Sequence, residues 1–510
     1  MSGTPCQGGL DDGALTVAAD VHPGAATVGV GHNGPMLVDV PKLSGARVTV
    51  MGLGLFGAGV GVTKFLCRSG ARVTVTDLAD AHQLRESVAA LDGWPVDLHL
   101  GGHREEDFTG ADLVVVSPGV PDESPWPALP HALETELNLF VKLCPARTVY
   151  GITGSNGKST TTTLIGEILA RGPRRVWVGG NLGVSLLDHL DEIGPDDIVV
   201  LELSSFQLQR LAPLRWSPQV SVVTNITPNH LDRHGTMARY VEAKQTVVSH
   251  QREGDVRVLN ADDPFAAEFA RDFAGDHAGH LGVDPAGGAP SIRWFGVNAP
   301  ADATDGTRIG DEVIEHAGHR LDVRGRRLPG RFQLHNLAAA TAATADAFPG
   351  WAQAATEVMV SFPGVEHRLE FVAEIDGVAY YDDSIATTPE RTLAALDTLP
   401  GPLVILLGGY DKGLPFDALG ARVAERCRAA VVFGQTAGAL TAAIGGGSHP
   451  DENAGPVDVH RATSFEDAVA SARALARPGD TVLLSPACAS YGWFRNFTER
   501  GRRFKELVRG

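Results

Sequence analysis

The chain has 510 residues, enough for about three domains at roughly 150 residues each, and its 43 % hydrophobic content supports packed cores. A formal charge of -18 argues against a general nucleic-acid surface, for which a basic patch is required, although local basic pockets remain compatible with it. No run approaches the roughly eighteen apolar residues of a membrane span, the start of the chain lacks the basic and apolar pattern of a secretory leader, and the five cysteines are scattered without close pairs. A reduced, cytoplasmic protein without zinc or disulfides is therefore expected.

Residues 1–44, rich in Gly, Ala and Asp, read as a disordered extension. Beyond them apolar runs alternate with helical patterns, which favours parallel sheets covered by helices on both faces, an α/β protein. A first unit, residues 45–145, opens with a strand at 46–51 and then Gly52-Leu-Gly-Leu-Phe-Gly57. A strand at 72–76 follows, then Asp77, and another apolar run occupies 112–119. Glycines at this spacing admit a pyrophosphate to a helix N-terminus, and an acid some twenty residues on can bind ribose hydroxyls. The same pattern serves UDP as well as NAD, and a glycine turn that merely packs a helix on a sheet also produces it.

The second unit, residues 146–361, begins with the most informative stretch, Thr148-Val-Tyr-Gly-Ile-Thr-Gly-Ser-Asn-Gly-Lys-Ser-Thr160. It reads as a strand, a loop and a helix. Backbone N–H groups of Gly154, Ser155, Asn156 and Gly157 can crowd around a polyphosphate, Lys158 can neutralise its outer oxygens, and Ser159 can ligate magnesium, with Thr160 beside it. Ile152 stands where the regular phosphate loop has a glycine, so the loop is a variant. Buried strands are expected at 198–203 and 220–225. Glu202 ends the first of these, where a lone carboxylate is costly unless it meets a cation, and His230 follows the second. Lys244, in Tyr240-Val-Glu-Ala-Lys-Gln245, reads by itself as a solvated helix lysine. Patches at 284–310 and 445–456 read as surface loops. The third unit, residues 362–510, has strands expected at 378–381, 403–407, 430–433 and 482–485.

Taken in order, Gly154-Ser-Asn-Gly-Lys-Ser-Thr160, Gly179-Gly-Asn-Leu-Gly183, Leu201-Glu-Leu-Ser-Ser-Phe-Gln207, Asn260-Ala-Asp-Asp263, His335-Asn336, Glu366-His-Arg-Leu-Glu370, Asp382-Asp-Ser384, Gly408-Gly-Tyr-Asp-Lys-Gly413 and Leu484-Ser-Pro-Ala-Cys-Ala-Ser490 resemble the Mur ligase family, ATP-dependent amino-acid ligases of peptidoglycan precursor synthesis. The resemblance runs from about residue 46 to the C-terminus. It implies a Rossmann-like UDP-binding domain, a central P-loop-like ATPase domain and a C-terminal Rossmann-like domain for the amino acid. It points to the branch that joins glutamate to UDP-N-acetylmuramoyl-L-alanine through an acylphosphate, acting as a monomer. It further implies ATP and two magnesium ions as cofactors, with Ser159, Glu202 and His230 as metal ligands and Lys244, carbamylated, as another. Lys158, His230 and Lys244 would be the catalytic residues. Asn336, Arg368 and Asp383 would contact ATP beside the phosphate loop. Gly54, Leu55, Phe56, Asp77, Ser117, Gly119 and Asn181 would meet the UDP substrate, and Thr387, Lys412, Ser490, Tyr491 and Phe497 the glutamate.

The chain departs from that branch at Asp383-Ser-Ile-Ala-Thr-Thr388, where relatives commonly have a lysine and an asparagine in place of Ile385 and Thr388. A cation and an amide are thereby lost from a pocket for a dicarboxylate, leaving Lys412 and Arg495 to supply charge. The stretch resembles ligases of L-glutamate, whereas Ser485-Pro-Ala-Cys-Ala-Ser490 and Asn496-Phe497 resemble those of D-glutamate, and D-glutamate is the expectation. Asn229 also stands where an acid often precedes the histidine. A dehydrogenase would leave the Gly-Lys-Ser loop without a role. A nucleotide switch would not need three α/β units or the Glu202 and Lys244 set.

Overall fold

The structure is a computed structural model and describes residues 43–54, 57–118, 120, 132–182, 185–271, 289–300, 306–328, 330–399, 401–411, 413–446 and 457–510. The expected N-terminal extension lies outside these residues except at its last two positions.

The first of three sheets contains β1 (Arg47–Met51), β2 (Arg72–Asp77), β3 (Val96–Leu100), β4 (Leu113–Val116) and β5 (Ala132–Glu134), in the order β3-β2-β1-β4-β5 with every pairing parallel. The inner strands β1, beyond the exposed Arg47, and β4 are buried throughout. The edge strand β3 alternates Asp97 and His99 with apolar residues.

The middle sheet has nine strands: β6 (Thr148–Thr153), β7 (Val176–Gly180), β8 (Ile198–Glu202), β9 (Val220–Val223), β10 (Val256–Asn260), β11 (Ser291–Gly296), β12 (Gly306–Ile309), β13 (Val313–His316) and β14 (His319–Asp322). Their order is β14-β13-β12-β11-β10-β9-β6-β8-β7, parallel from β7 through to β12, with an antiparallel meander at the far edge. β6 lies between β8 and β9, so the chain reverses its direction of growth there. The loops leaving the carboxyl ends of β6, β8 and β9 open on one crevice, the position where parallel α/β sheets bind ligands. Behind it the helix Lys158–Leu169 packs on Gln333–Thr344, whose run of buried alanines at 338–340 and 342–343 permits close approach.

The third sheet contains β15 (Glu370–Ile375), β16 (Val378–Asp382), β17 (Leu403–Gly409), β18 (Cys427–Gly434), β19 (Asp458–Arg461) and β20 (Thr481–Leu484), ordered β15-β16-β20-β17-β18-β19. Only β15 runs antiparallel. Its central strand β17, Leu-Val-Ile-Leu-Leu-Gly-Gly, is buried throughout.

One expectation fails. Residues 284–310 are not a single surface loop, since β11 and β12 fall within them and extend the middle sheet, with Phe295 fully buried. The Gly, Pro and Asp residues around these short strands hide them from a reading of composition, and pairing with β10 supplies the order that local propensity does not. Of the patch at 445–456, Gly445 ends the helix Ala437–Gly445 and most of the remainder lies outside the described residues. No helix among the described residues is long and apolar enough to cross a membrane.

Candidate active site

The phosphate loop owes its shape to two glycines. Gly154 has φ 148°, and a Cβ there would lie 1.9 Å from Thr224 Oγ1. Gly157 has φ 80°, and a Cβ would lie 2.2 Å from Asn336 Oδ1. The loop is fastened to the segment after β9: Ser155 N donates to Asn225 O (2.8 Å), Asn156 N to Asn225 Oδ1 (3.0 Å), and Thr224 Oγ1 to Asn156 O (2.7 Å). Tyr240 OH lies 2.9 Å from Ser155 Oγ. With its edges held, the loop leaves the amino end of the helix Lys158–Leu169, the positive end of its dipole, facing the crevice.

At that helix start Ser159 Oγ donates to Glu202 Oε2 at 2.5 Å, and Asn181 Nδ2 donates to Glu202 Oε1 at 2.9 Å. Arg368, from the first segment of the third unit, brings Nη1 to Ser159 Oγ. Glu202 is only 2 % exposed, and these partners satisfy a carboxylate that would otherwise be costly to bury. Burial lowers the pKa of Lys158, Glu202 opposes that effect, and Arg368 and Arg391 add to it. Lys158 Nζ donates to Ser155 O at 3.1 Å.

Lys244 is not the solvated lysine of a bare sequence reading. It is 1 % exposed, its Nζ donates to Gly154 O at 2.8 Å and reaches Thr153 Oγ1 at 3.4 Å, and the ammonium sits over the Tyr240 ring. Desolvation, reinforced by the charge of Lys158, holds its pKa well below the usual lysine value, so the free amine becomes accessible. An uncharged lysine amine is the form that takes up carbon dioxide.

Ser159 and Glu202 offer hard oxygen donors of the kind magnesium prefers, and they fit such an ion. Lys244 as a plain lysine does not fit as a ligand, whereas its carbamate would. His230 is exposed at φ 53°, capping the short helix Leu231–His234, with its ring 5.1 Å from Phe206. The neighbouring His234, which sequence reading missed, is buried, bonded to Ser205 Oγ at 2.9 Å and stacked on Phe206. Asn229 is exposed.

Asn336 is buried against Gly157, takes a bond from Thr161 Oγ1 at 3.4 Å and donates to Gln333. Asp383 accepts from Leu369 N (3.2 Å) and Ser485 Oγ (2.7 Å), and complete burial pushes its pKa up to about 7. His367, at φ 61°, meets Asp382 Oδ2 at 2.6 Å, and Glu370 is bonded to His367 N and to Lys505. His367, Glu370 and Asp382 are close enough together to suggest a metal site, but the Lys505 ammonium already neutralises the group. It serves as a clamp that fixes the Arg368 turn to the third sheet.

In the first unit Asp77 ends β2, but its carboxylate accepts from Gly54 N (3.1 Å) and Ala79 N (2.9 Å), so it orders the glycine turn in this structure. Ser117 follows β4, and Ser117 N donates to Met51 O. Leu55, Phe56, Gly119 and Lys412 lie outside the described residues. Thr387 and Phe497 are half-buried and Ser490 is buried. The half-buried Tyr491 packs edge-on against Tyr410 at 5.9 Å. Near them Asn496 Nδ2 donates to Glu86 Oε2 at 2.9 Å, which brings the first unit against the third. Arg495, expected to be an available cation, is paired with Glu499 one helical turn away. Arg500, also missed, is fully buried; it donates to Ser384 Oγ and O and to Cys488 O, tying together the two loops that carry Thr387 and Ser490. A cavity of about 850 Å³ beside the helices Phe465–Leu475 and Phe497–Arg509 is lined by none of the phosphate-loop residues.

Comparison with known proteins gives three consecutive domain matches: the MurD-like N-terminal domain of Mur ligases over residues 46–139, the Mur ligase middle domain over 152–344, and the glutamate ligase domain of Mur ligases over 367–488. The chain is 42 % identical over 481 residues to the UDP-N-acetylmuramoylalanine--D-glutamate ligase of Roseiflexus sp. (strain RS-1), covering 92 % of this chain and 99 % of that one. It is 42 % identical over 473 residues to the enzyme of the same name from Symbiobacterium thermophilum, with 91 % and 97 % covered. Among solved structures, a UDP-N-acetylmuramoyl-L-alanyl-D-glutamate--2,6-diaminopimelate ligase superposes with a TM-score of 0.51 at 18 % identity, over 86 % of this chain and 93 % of that one, a likeness of fold.

Proposed function

The chain belongs to the Mur ligase family, and from that premise we propose that it joins D-glutamate to UDP-N-acetylmuramoyl-L-alanine at the expense of ATP, in the cytoplasm and as a monomer. The single observation that carries the reading is the ring of Ser159, Glu202, Asn181 and Arg368 at the head of the helix begun by Lys158. The names carried by relatives that match nearly the whole chain support D-glutamate as the acceptor.

A carboxylate acylates poorly because oxide is a poor leaving group, so amide formation needs activation. In this reading the alanyl carboxylate attacks the terminal phosphorus of ATP in line, ADP departs, and the amine of glutamate captures the resulting acylphosphate and expels phosphate. Lys158 and Arg368 would offset the charge that builds up between nucleophile and leaving group, and Asn336 would meet the nucleotide. Magnesium, when bound, would supply further charge compensation at the terminal phosphates; Ser159 and Glu202 would hold it, with His230 at the exposed rim and Lys244 as its carbamate. His230 is also the candidate to take the amine proton. Asp77, Ser117 and Asn181 would face the UDP substrate; Thr387, Ser490, Tyr491 and Phe497 would face glutamate. The Asn496–Glu86 and Arg368–Ser159 bonds support an arrangement in which the outer domains close over the crevice, excluding water that would destroy the acylphosphate.

The test incubates the protein with ATP, magnesium, UDP-N-acetylmuramoyl-L-alanine and each glutamate enantiomer separately. Product mass should show a glutamyl adduct with the D-isomer. An adduct formed only with the L-isomer would overturn the acceptor assignment, and none with either, alongside ATP turnover, would overturn the ligation.

A further inference from the structure

His230 and His234 stand four residues apart across the short helix Leu231–His234, where His234 N donates to His230 O at 2.9 Å, so their rings project to one side. Tyr240 and Lys244 repeat that spacing on the next helix, Met237–Gln245. The outer member of each pair, His230 and Lys244, belongs to the set proposed above to hold magnesium. The inner members, His234 and Tyr240, meet edge to face with ring centroids 5.3 Å apart.

Each inner ring is fastened to a different loop of the crevice. Tyr240 OH lies 2.9 Å from Ser155 Oγ in the loop leaving β6, and the Tyr240 ring carries the Lys244 ammonium on its face. His234 Nε2 lies 2.9 Å from Ser205 Oγ, three residues past Glu202 at the end of β8. The His234 ring stacks on Phe206 with centroids 5.1 Å apart and planes 1° from parallel, and the same Phe206 ring meets His230 at 5.1 Å. The turn bearing Ser205 and Phe206 is itself fixed, because Ser204 and Gln207 form a capping box. One chain of contacts thus runs from Ser155 through Tyr240, His234 and Phe206 to His230, joining the loops that leave β6, β8 and β9, with His234 as its middle link. His234 is 5 % exposed, and an imidazole is costly to bury without a polar partner. Leucine would fill the same space without that cost, but it would set no direction. A ring held by Ser205 at one nitrogen, by Phe206 on its face and against Tyr240 keeps one orientation, which donors on separate loops need if they are to converge on one ion.

We propose that His234 is a positioning residue of the magnesium site, setting where His230 and Lys244 stand relative to Glu202 through its contacts with Phe206, Tyr240 and Ser205. It acts through these neighbours and not as a ligand. The proposal rests on the reading that Glu202, His230 and the carbamate of Lys244 hold magnesium beside ATP.

The experiment uses the full chain with His234→Phe, which keeps the ring and loses the bond to Ser205, and His234→Gln, which keeps a polar group for Ser205 and loses the ring. Four quantities are measured: the melting midpoint without ligand, ADP affinity with a metal chelator present, manganese affinity of the ADP complex by electron paramagnetic resonance, and kcat and KM for ligation as magnesium is varied. Both variants should bind ADP within about 3-fold of the unsubstituted protein when metal is absent, bind manganese about 10-fold or more weakly, and need correspondingly more magnesium for half-maximal rate. The KM for glutamate should move by less than about 3-fold, because that pocket is read on the third unit. If neither variant folds, Phe206→Leu, which removes the stacked partner alone, is held to the same expectation. A loss of manganese affinity smaller than about 3-fold in both variants would overturn the proposal, as would a lowered midpoint with metal-free ADP affinity falling in step, the signature of a residue that supports only the fold. Equal manganese binding by the unsubstituted protein and by Glu202→Gln would instead defeat the reading beneath the proposal.

Discussion

Asp383→Asn should make the protein more stable at neutral pH and leave it nearly unchanged at acid pH. The carboxyl is fully buried, and its pKa rises from 3.8 to about 7 because desolvation outweighs the bonds from Ser485 and Leu369. A folded-state pKa above the unfolded one means that the native protein keeps a proton the unfolded chain has lost, so stability falls as pH rises from about 4 to 7. A gap of about 3 units at 1.36 kcal/mol each gives a penalty of ~4 kcal/mol, complete above pH 7 and absent below about pH 4. Asparagine retains an oxygen for Leu369 N, and its amide can donate to Ser485 Oγ, which can turn to bond Thr392. Urea midpoints of the two proteins between pH 4.5 and 8 measure the difference. It should widen with pH in favour of the variant. A variant less stable by the same amount at every pH would refute the reasoning, because it would mean that Arg368 and Arg391 keep Asp383 ionised.

Gly157→Ala places a Cβ 2.2 Å from Asn336 Oδ1 at φ 80°. Left-handed strain and overpacking together should cost ~2–4 kcal/mol; urea denaturation measures this, and ATP titration should show affinity falling with it. Glu202→Gln removes the carboxylate bonded to Ser159 and Asn181; ligation assays should show kcat down about 100-fold or more and the magnesium dependence shifted to higher concentration. For Lys244, labelled bicarbonate should give a carbamate carbon signal by NMR that is lost in Lys244→Arg, with activity falling in parallel; equal spectra from both proteins would remove that lysine from the metal set.

The phosphate loop was legible in sequence because its chemistry is local: glycines, lysine and hydroxyl must be consecutive to wrap a phosphate. Glu202 was legible as a carboxylate ending an apolar strand, and the register of β6 with β8 places it against the loop. Lys244 was not, since nothing in a helical Tyr-Val-Glu-Ala-Lys shows that its amine will be enclosed beneath Gly154; only the resemblance singled it out. Arg500 escaped for a similar reason. It looks like a surface arginine in a polar helix, and only the packing of that last helix on the third sheet turns it inward. Arg495, read as an available cation, is solvent-exposed and lies 3.3 Å from Glu499. At 284–310 the composition suggested a loop where sheet pairing with β10 imposes strands.

The most direct test of the central claim follows the oxygen of the acceptor carboxyl. With oxygen-18 in the alanyl carboxylate of the UDP substrate, one labelled oxygen should appear in each inorganic phosphate released as the glutamyl product forms, because the carboxylate carries it onto phosphorus and phosphate leaves with it. Phosphate free of label, with product still accumulating, would contradict activation through an acylphosphate.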